Sequence, residues 1–400
     1  MKTILYGKVV LPHHVLERGA VLFENDLILD VGPRQQVTAA GANIIEHDGY
    51  ITPGFVDIHV HGGRGADFMD GTAEAFRIAI GAHRAHGTTS IVPTTTVASR
   101  GHILRVLETC RAEMRSETYP ARILGVHFYG PYFGKEAAGC HPTDDLADPD
   151  PREYFEYLEY KDAIVSATVA PELPGAESFA RACLERGIVV NAGHSHCTFD
   201  QAQRAIEWGV RHVDHLFCAM SDRARLRQRQ IFPMRGGLME ATLFFDQLTT
   251  EVIADGKHLA RELLQLAFKI KGPDKLALMT DSSRALDMPD GDYIFGPIDV
   301  GRPFRREDGV GVTPDGKALA SAVMGMDHMV RTFHKATGCT VPEVIRMATL
   351  TPARIVKRDE KIGSLSPGKF ADLLLLDSDL GVRQVWLAGK PVGSNELFDQ

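Results

Sequence analysis

Eight short, β-branched apolar segments, separated by amphipathic helical stretches, constrain the fold of this chain most strongly. Strands that alternate with helices are typical of parallel sheets, because a parallel connection needs a crossover helix. Eight such βα units predict an α/β fold with a closed TIM-type (β/α)8 barrel, and a doubly wound open sheet is the alternative. The predicted strands are GFVDIHV (54–60), TTSIVPTT (88–95), ARILGVHF (121–128), AIVSATVA (163–170), GIVVNAGH (187–194), VRHVDHLF (210–217), TTEVIADG (249–256) and KLALMTDS (275–282).

The two chain ends have a different pattern, with short strands and turns but no long helices. Residues 1–52 and 358–400 contain segments such as ILYGKVV and ADLLLLD. We therefore expect one small β-sandwich domain formed from both ends, and a barrel domain over residues 53–357. The helical segment VPEVIRMATLTPARIV joins the two domains.

Composition excludes several classes of protein. The chain has 400 residues, of which 44% are hydrophobic, so it can bury a substantial core. Its net charge of −8 argues against nucleic acid as a main partner, because phosphate binding needs a surplus of Lys and Arg. The six cysteines are scattered, which suits reduced thiols, and no stretch approaches the roughly 20 apolar residues of a membrane span. The sequence predicts a soluble, cytoplasmic protein without a membrane partner.

Metal-competent side chains fall at the ends of four predicted strands. His59 and His61 end the first strand, His194 the fifth, His215 the sixth and Asp281 the eighth. Barrel enzymes place their chemistry at the C-terminal ends of the strands. Residues i and i+2 of a strand share a face about 6.6 Å apart, so both first-strand imidazoles could reach one cation. A lone His-x-His pair is more often an ordinary feature of a strand, but the five residues together favour a metal site.

Five segments resemble one known family. They are GFVDIHVHGG, NAGHSHCTFDQAQRAIEWGVRHVDHLFCAM, VIADGKHL, LALMTDSSRALDMPDGDYIFG and TPARIVKRDEKIGSLSPGKFADLLLLD. In this order, and over nearly the whole chain, they are similar to the amidohydrolase superfamily and specifically to its N-acetylglucosamine-6-phosphate deacetylases.

The resemblance implies a metal-dependent hydrolase that deacetylates an N-acetylated amino sugar or sugar phosphate. On the matching positions, His59, His61, His194 and His215 would be metal ligands. Asp281 would also contact the metal and would act as general base and then as general acid. Imidazole and carboxylate ligands suit zinc, and also iron, cobalt or manganese.

Two further histidines match family positions outside the metal set. His141, in KEAAGCHP, corresponds to a catalytic histidine that contacts the scissile carbonyl or the sugar. His258, in IADGKH, corresponds to a substrate-contacting histidine after the seventh strand. A solvated loop histidine is the alternative for His141.

The chain departs from the family in GVHFYGPYFG. Family members usually carry a metal-binding glutamate at the position of Tyr129. A neutral phenol is a poor metal ligand, because its pKa lies near 10. We therefore expect one metal rather than two, held by His59, His61, His194 and Asp281, with His215 orienting the water.

The second departure concerns phosphate recognition. The stretch CAMSDRARLRQRQIFPMRGG has Cys218 where the family has asparagine, and no arginine aligns cleanly with the family's phosphate contact. One of its arginines could bind a phosphate, although a solvated basic loop is equally consistent with the sequence. The predicted substrate-binding residues are His258, Cys218, Ala219, Met220, Tyr129 and Arg229.

Two other functions remain open at this point. The same metal site could deaminate its substrate or cleave a different amide, or the chain could be a non-catalytic binding protein. The five retained metal-competent residues argue against the last interpretation. The expected partner is a small-molecule N-acyl sugar, and the resemblance suggests a homodimer.

Overall fold

A computed structural model describes residues 2–116, 119–228 and 233–393. The strands are β1 (Lys2–Val10), β2 (Val15–Glu24), β3 (Leu27–Pro33), β4 (Asn43–Pro53), β5 (Phe55–Val60), β6 (Gly62–Gly63), β7 (Ala66–Asp67), β8 (Thr88–Pro93), β9 (Arg122–Ile123), β10 (Val126–Phe128), β11 (Ile164–Val169), β12 (Val189–Ala192), β13 (His212–Val213), β14 (Thr249–Ile253), β15 (Leu276–Met279), β16 (Gly291–Phe295), β17 (Arg302–Glu307), β18 (Val310–Val312), β19 (Leu319–Ala322), β20 (Leu373–Leu376), β21 (Val382–Leu387) and β22 (Lys390–Val392).

The helices occupy most of the connections between these strands. They are α1 (Ala73–Ala85), α2 (Arg100–Glu113), α3 (Pro151–Leu158), α4 (Ala176–Leu184), α5 (Phe199–Trp208), α6 (Arg223–Arg227), α7 (Leu238–Phe244), α8 (Arg261–Lys271), α9 (Met326–Thr337), α10 (Val341–Ala348) and α11 (Leu350–Ile355). No helix of the described residues is long and apolar enough to cross a membrane.

All eight predicted apolar segments contain strands of a curled parallel sheet. Strands β10 to β15 pair in sequence order, and β5, β8 and β9 form a second parallel group. Backbone hydrogen bonds connect the two groups at both edges: Asp281 N donates to His59 O, and Thr95 N donates to His127 O. Every residue of β5 and of β11 is buried, as expected for parallel strands covered on both faces.

Local sequence explains where the helices begin and end. Thr198 and Gln201 form a capping box at the start of α5, and Gly209 ends that helix in the left-handed conformation. A second capping box, made by Thr340 and Glu343, begins α10. The predicted helical segment near residue 350 is two helices, because the backbone breaks at Thr349.

Strands from both chain ends lie in one seven-stranded mixed sheet. Its order is β22-β21-β20-β4-β1-β2-β3, in which β20 pairs antiparallel with β4, and β4 pairs parallel with β1. One face of this sheet buries a core that includes Leu5, Phe23 and Trp386. The first four strands and the last three are therefore parts of one layer, although more than 300 residues separate them in the chain.

A four-stranded antiparallel sheet, β16 to β19, follows β15, the last of the parallel strands, and it was not predicted from the sequence. Arg284 attaches this sheet to the region around the parallel strands. Its guanidinium donates to the carbonyl oxygens of Ile294 and Gly296 and to the carboxylate of Asp70. Because Arg284 is buried, these contacts are charge-assisted bonds shielded from water.

Candidate metal centre

The ends of β5 and β15 bring three predicted ligands together. Atoms of His59, His61 and Asp281 all lie within 4.8 Å of one another. The Oδ1 atom of Asp281 is 3.1 Å from His61 Nε2 and 3.7 Å from His59 Nε2. The backbone hydrogen bond from Asp281 N to His59 O sets this alignment, because it pairs the two strands at the level of the ligands.

These residues fit a divalent cation. The Nε2 atom of His59 is buried and has no hydrogen-bond partner among the described residues. Burial disfavours a charged imidazole, yet the carboxylates of Glu251 and Asp281 raise the pKa of His59 to about 9. The site therefore attracts positive charge in a dry environment, and two imidazoles with one carboxylate are a donor set suited to zinc and related ions.

The opposite side of the site contains His194, His215 and Tyr129. The Nδ1–H of His194 donates to Ala137 O at 2.6 Å, so the lone pair of His194 lies on Nε2, which is 3.1 Å from His215 Nε2. Tyr129 Oη is 2.6 Å from the same His215 nitrogen. Burial and the nearby carboxylates of Asp214 and Asp281 raise the pKa of Tyr129 well above its usual value, so its phenol stays neutral beside His215.

Three of the five predicted ligands have unusual backbone conformations. The φ angles are +43° at His194, +24° at His215 and +48° at Asp281. Left-handed backbone is uncommon for residues other than glycine and costs free energy. Each of these residues follows the end of a parallel strand, and the turn directs its side chain into the cavity at that end.

Four of the five predicted ligands, His61, His194, His215 and Asp281, line a cavity of about 330 Å³. Four predicted substrate residues, Tyr129, Cys218, Ala219 and His258, line it together with the predicted catalytic residue His141. Phe295, Leu319 and Ser321 of the four-stranded sheet region complete the wall. The volume lies in the range of small-molecule sites.

Of the two remaining predicted substrate residues, only Met220 is described, and it does not line this cavity. Met220 is buried and forms a β-bridge with Ser195 beside it. Arg229 lies outside the described residues. Arg235 forms a surface ion pair with Asp200, and none of the described lining residues is Lys or Arg.

The pKa values of His141 and His258, two of the histidines that line the cavity, are shifted in opposite directions. Burial and the neighbouring His194 and His61 hold the pKa of His141 well below its usual value, so its imidazole is neutral. For His258, burial opposes protonation, but a 2.7 Å hydrogen bond from Nδ1 to Asp255 raises the pKa. His258 therefore holds a proton more readily than an isolated imidazole does.

Comparison with known proteins identifies the family. The model of the amidohydrolase family matches residues 50–392. The chain belongs to the amidohydrolase family. It is 30% identical over 358 residues to an N-acetylglucosamine-6-phosphate deacetylase of Lysinibacillus sphaericus, with 89% of each chain covered. It is also 31% identical to an N-acetylgalactosamine-6-phosphate deacetylase of Escherichia coli O157:H7, covering 85% of this chain and 87% of the relative.

Solved structures agree with this assignment. The N-acetylglucosamine-6-phosphate deacetylase of Mycobacterium smegmatis, as a D267A mutant in complex with N-acetyl-D-glucosamine-6-phosphate, superposes with a TM-score of 0.88 at 28% identity, covering 98% of this chain and 99% of the other. The Pasteurella multocida enzyme of the same name gives a TM-score of 0.89 at 27% identity, covering 98% and 100%. As an amidohydrolase, the chain is a hydrolase that acts on carbon–nitrogen bonds and belongs to a family that generally uses a divalent metal.

Sequence reasoning missed a buried polar layer beneath the metal centre of this amidohydrolase. Glu251 contacts His59, and Asp214 accepts hydrogen bonds from Asn191 at 2.8 Å and Thr168 at 2.6 Å. His127 bonds the same threonine at 2.7 Å. The sequence did indicate this layer, because Asp214 and Glu251 lie within predicted strands and a buried acidic residue almost always has a partner.

Proposed function

We propose that this amidohydrolase removes the acetyl group from an N-acetylated amino sugar phosphate. The observation that carries the proposal is the cluster of His59, His61 and Asp281 at the base of a cavity of ligand size, with an unpaired imidazole nitrogen facing the carboxylate. Relatives with that activity, which match along most of the chain, support the choice of substrate class.

The five predicted ligands would hold the cation, with zinc as the expected ion. When bound, such a cation would supply Lewis acidity, which would polarise the acetamide carbonyl and lower the pKa of the attacking water. Burial opposes ionisation of Asp281, but the hydrogen bond from His61 and the positive charge of nearby imidazoles hold its pKa well below the usual value. Asp281 is therefore an available carboxylate that takes the proton from water and returns it to the leaving amine.

His141 and His258 would orient the substrate. The Nδ1 atom of His141 accepts from Val97 N at 3.3 Å, so the proton of this neutral imidazole lies on Nε2. From there it donates to the scissile carbonyl oxygen or to a sugar hydroxyl. The positive charge that Asp255 favours on His258 suits an anionic group such as a phosphate. Cys218, Ala219, Met220, Tyr129 and Arg229 remain proposed substrate contacts.

We also propose that the curled sheet closes into a (β/α)8 barrel over residues 53–357. The hydrogen bonds that connect β15 to β5 and the β8 region to β10 support closure. Residues 1–52 and 358–400 would form the second domain, supported by their common seven-stranded sheet. A cytoplasmic homodimer is the proposed form of the enzyme.

A different amide substrate is the second candidate. It is favoured by the described wall of the cavity, which contains neither Lys nor Arg, because a site built for a phosphate usually pairs it with such a cation. Deamination on the same metal site belongs to this alternative.

The deciding experiment measures acetate and ammonia release by the purified enzyme. The substrates are N-acetylglucosamine and N-acetylgalactosamine, each with and without a 6-phosphate, and metal content is measured on the same sample. We expect acetate from a phosphorylated sugar, loss of activity after chelation and recovery with Zn²⁺. Ammonia without acetate, or turnover that survives complete metal removal, would contradict the proposal.

A further inference from the structure

The inference concerns Glu251, a buried acid on β14 that none of the proposed catalytic steps uses. Its Oε1 atom is 2.7 Å from Nδ1 of His59, and both side chains are at most 1% exposed. We propose that Glu251 is a positioning residue of the metal centre, which fixes the tautomer and the ring orientation of His59. This inference rests on the proposed role of His59 as a metal ligand.

The tautomer follows from the chemistry of the two groups. An ionised carboxylate only accepts hydrogen bonds, so the proton of a neutral His59 lies on Nδ1. The lone pair then lies on Nε2, the atom that is 3.7 Å from Asp281 and has no partner among the described residues. Because a metal binds the lone pair, Glu251 selects the nitrogen on the side of Asp281.

The position of Glu251 is itself fixed from a second side. Its Oε2 atom lies 3.4 Å from Nε2 of His212, a fully buried imidazole on β13. The Nδ1 atom of His212 bonds Thr249 Oγ1 at 2.9 Å. The carboxylate therefore lies between imidazoles of two different strands, and rotation away from His59 would break both contacts.

Charge gives Glu251 a second effect on the centre. Two neutral imidazoles and the Asp281 carboxylate contribute one negative charge against the two positive charges of a divalent cation. In a buried site such an imbalance is costly, because Coulomb energies are larger than in water. The carboxylate of Glu251 supplies the second negative charge. It acts on the metal through its hydrogen bond to the His59 ring, so it occupies no coordination position itself.

Metal affinity distinguishes this role from simple packing. The test uses Glu251→Gln, which keeps the size of the side chain and removes its charge. The readouts are the Zn²⁺ dissociation constant by chelator competition and the visible absorption spectrum of the Co²⁺-loaded protein. We expect affinity to fall about 10- to 100-fold and the Co²⁺ spectrum to change, because loss of a partner behind a ligand alters ligand orientation.

A matched control is Asp67→Asn. Asp67 is a fully buried carboxylate that caps a short helical turn and accepts from Gly296 N, away from the cavity. This variant should lose thermal stability but keep wild-type Zn²⁺ affinity and the wild-type Co²⁺ spectrum. Wild-type affinity and an unchanged spectrum in Glu251→Gln would overturn the inference.

Two further variants cover other outcomes. If Glu251→Gln does not fold, Glu251→Asp keeps the charge and moves it away from Nδ1, and it should weaken Zn²⁺ binding by a smaller factor. Adding Glu251→Gln to His59→Ala should cause no further loss of affinity, because the effect passes through His59; an undiminished further loss would overturn the inference. If the wild type releases no acetate while these affinities change as expected, the proposed function fails and the positioning role stands.

Discussion

The two sides of the metal centre are built differently. On the side of β5 and β15, His59 and His61 face the carboxylate of Asp281, and a second carboxylate, Glu251, lies behind His59. On the opposite side Nε2 of His215 lies 2.6 Å from the neutral phenol of Tyr129 and not from a carboxylate. Negative charge is therefore concentrated on one side, and we expect a cation to be held most tightly there.

The largest effect is expected from Asp281→Asn. The amide cannot accept the proton from water, so kcat for acetate release should fall by about 10³-fold or more, as for other essential proton-transfer groups. Steady-state kinetics with saturating metal measure this effect, and circular dichroism checks the fold. An unchanged kcat would rule out the proposed role and remove the functional difference between the two sides.

Comparing His59→Ala with His215→Ala tests the asymmetry directly. The first change removes a ligand from the negatively charged side and should weaken Zn²⁺ binding by about 100-fold or more. The second removes a histidine already bonded to Tyr129, so it should weaken binding less while still lowering kcat. Chelator competition measures both affinities; equal losses would show that the two sides share the cation evenly.

Ion pairs of His86 hold the loop that follows β15, and we expect them to affect the stability of the fold rather than catalysis. His86 bonds Asp287 at 3.0 Å and Asp327 at 2.9 Å, so both ring nitrogens carry protons. Burial opposes this charge, but the two carboxylates raise the pKa of His86 to about 9, and His86 and Arg331 lower that of Asp327 to about 2.

These pKa shifts predict how the stability of the fold changes with pH. A raised histidine pKa stabilises the fold fully below about pH 6.5, and the benefit is lost as pH rises through about 9. Asp327→Asn should lower the free energy of unfolding by about 2 kcal/mol at pH 6, with a smaller loss above pH 9, and should leave kcat within about twofold. Denaturant unfolding at several pH values measures this; a pH-independent difference would contradict the interpretation.

The smallest expected effect is a change in metal stoichiometry. Tyr129→Glu replaces the phenol by a carboxylate beside His194 and His215, so the second side gains the negative charge that it lacks. Elemental analysis should show an increase from one metal per chain toward two. Tyr132→Phe, a nearby buried change away from the cavity, should have no effect on metal content. An unchanged metal content in Tyr129→Glu would mean that the charge at position 129 does not limit the number of metal ions bound.

The sequence locates the parallel strands because each is a short apolar run whose residue types differ sharply from those of the flanking helices. It also placed His59, His61 and Asp281 at strand ends, and the structure brings them together. It could not identify Glu251 as a partner of His59, since that contact joins residues 192 positions apart. Pairing across a sheet interior depends on register, which the local pattern does not specify.

The four-stranded sheet was missed for a related reason. Its strand β17 is mostly polar, RPFRRE, and β18 has only three residues, VGV, so neither shows a clear apolar alternation. Its attachment through Arg284 to Asp70 is also a long-range contact. The local sequence therefore gave little indication of an extra layer beside the cavity.

That layer allows substrate preference to change separately from reactivity. Leu319 and Ser321 reach the cavity from a sheet whose own core is Phe295, Phe304 and Ala320, whereas the metal-competent side chains come from the parallel strands. Because Ala322 N of this sheet donates to Asp281 O, we expect only changes away from that contact, such as in the turns of the hairpins, to reshape the outer wall while the metal-binding geometry is retained. Related enzymes could thus acquire new sugar preferences by remodelling one peripheral module.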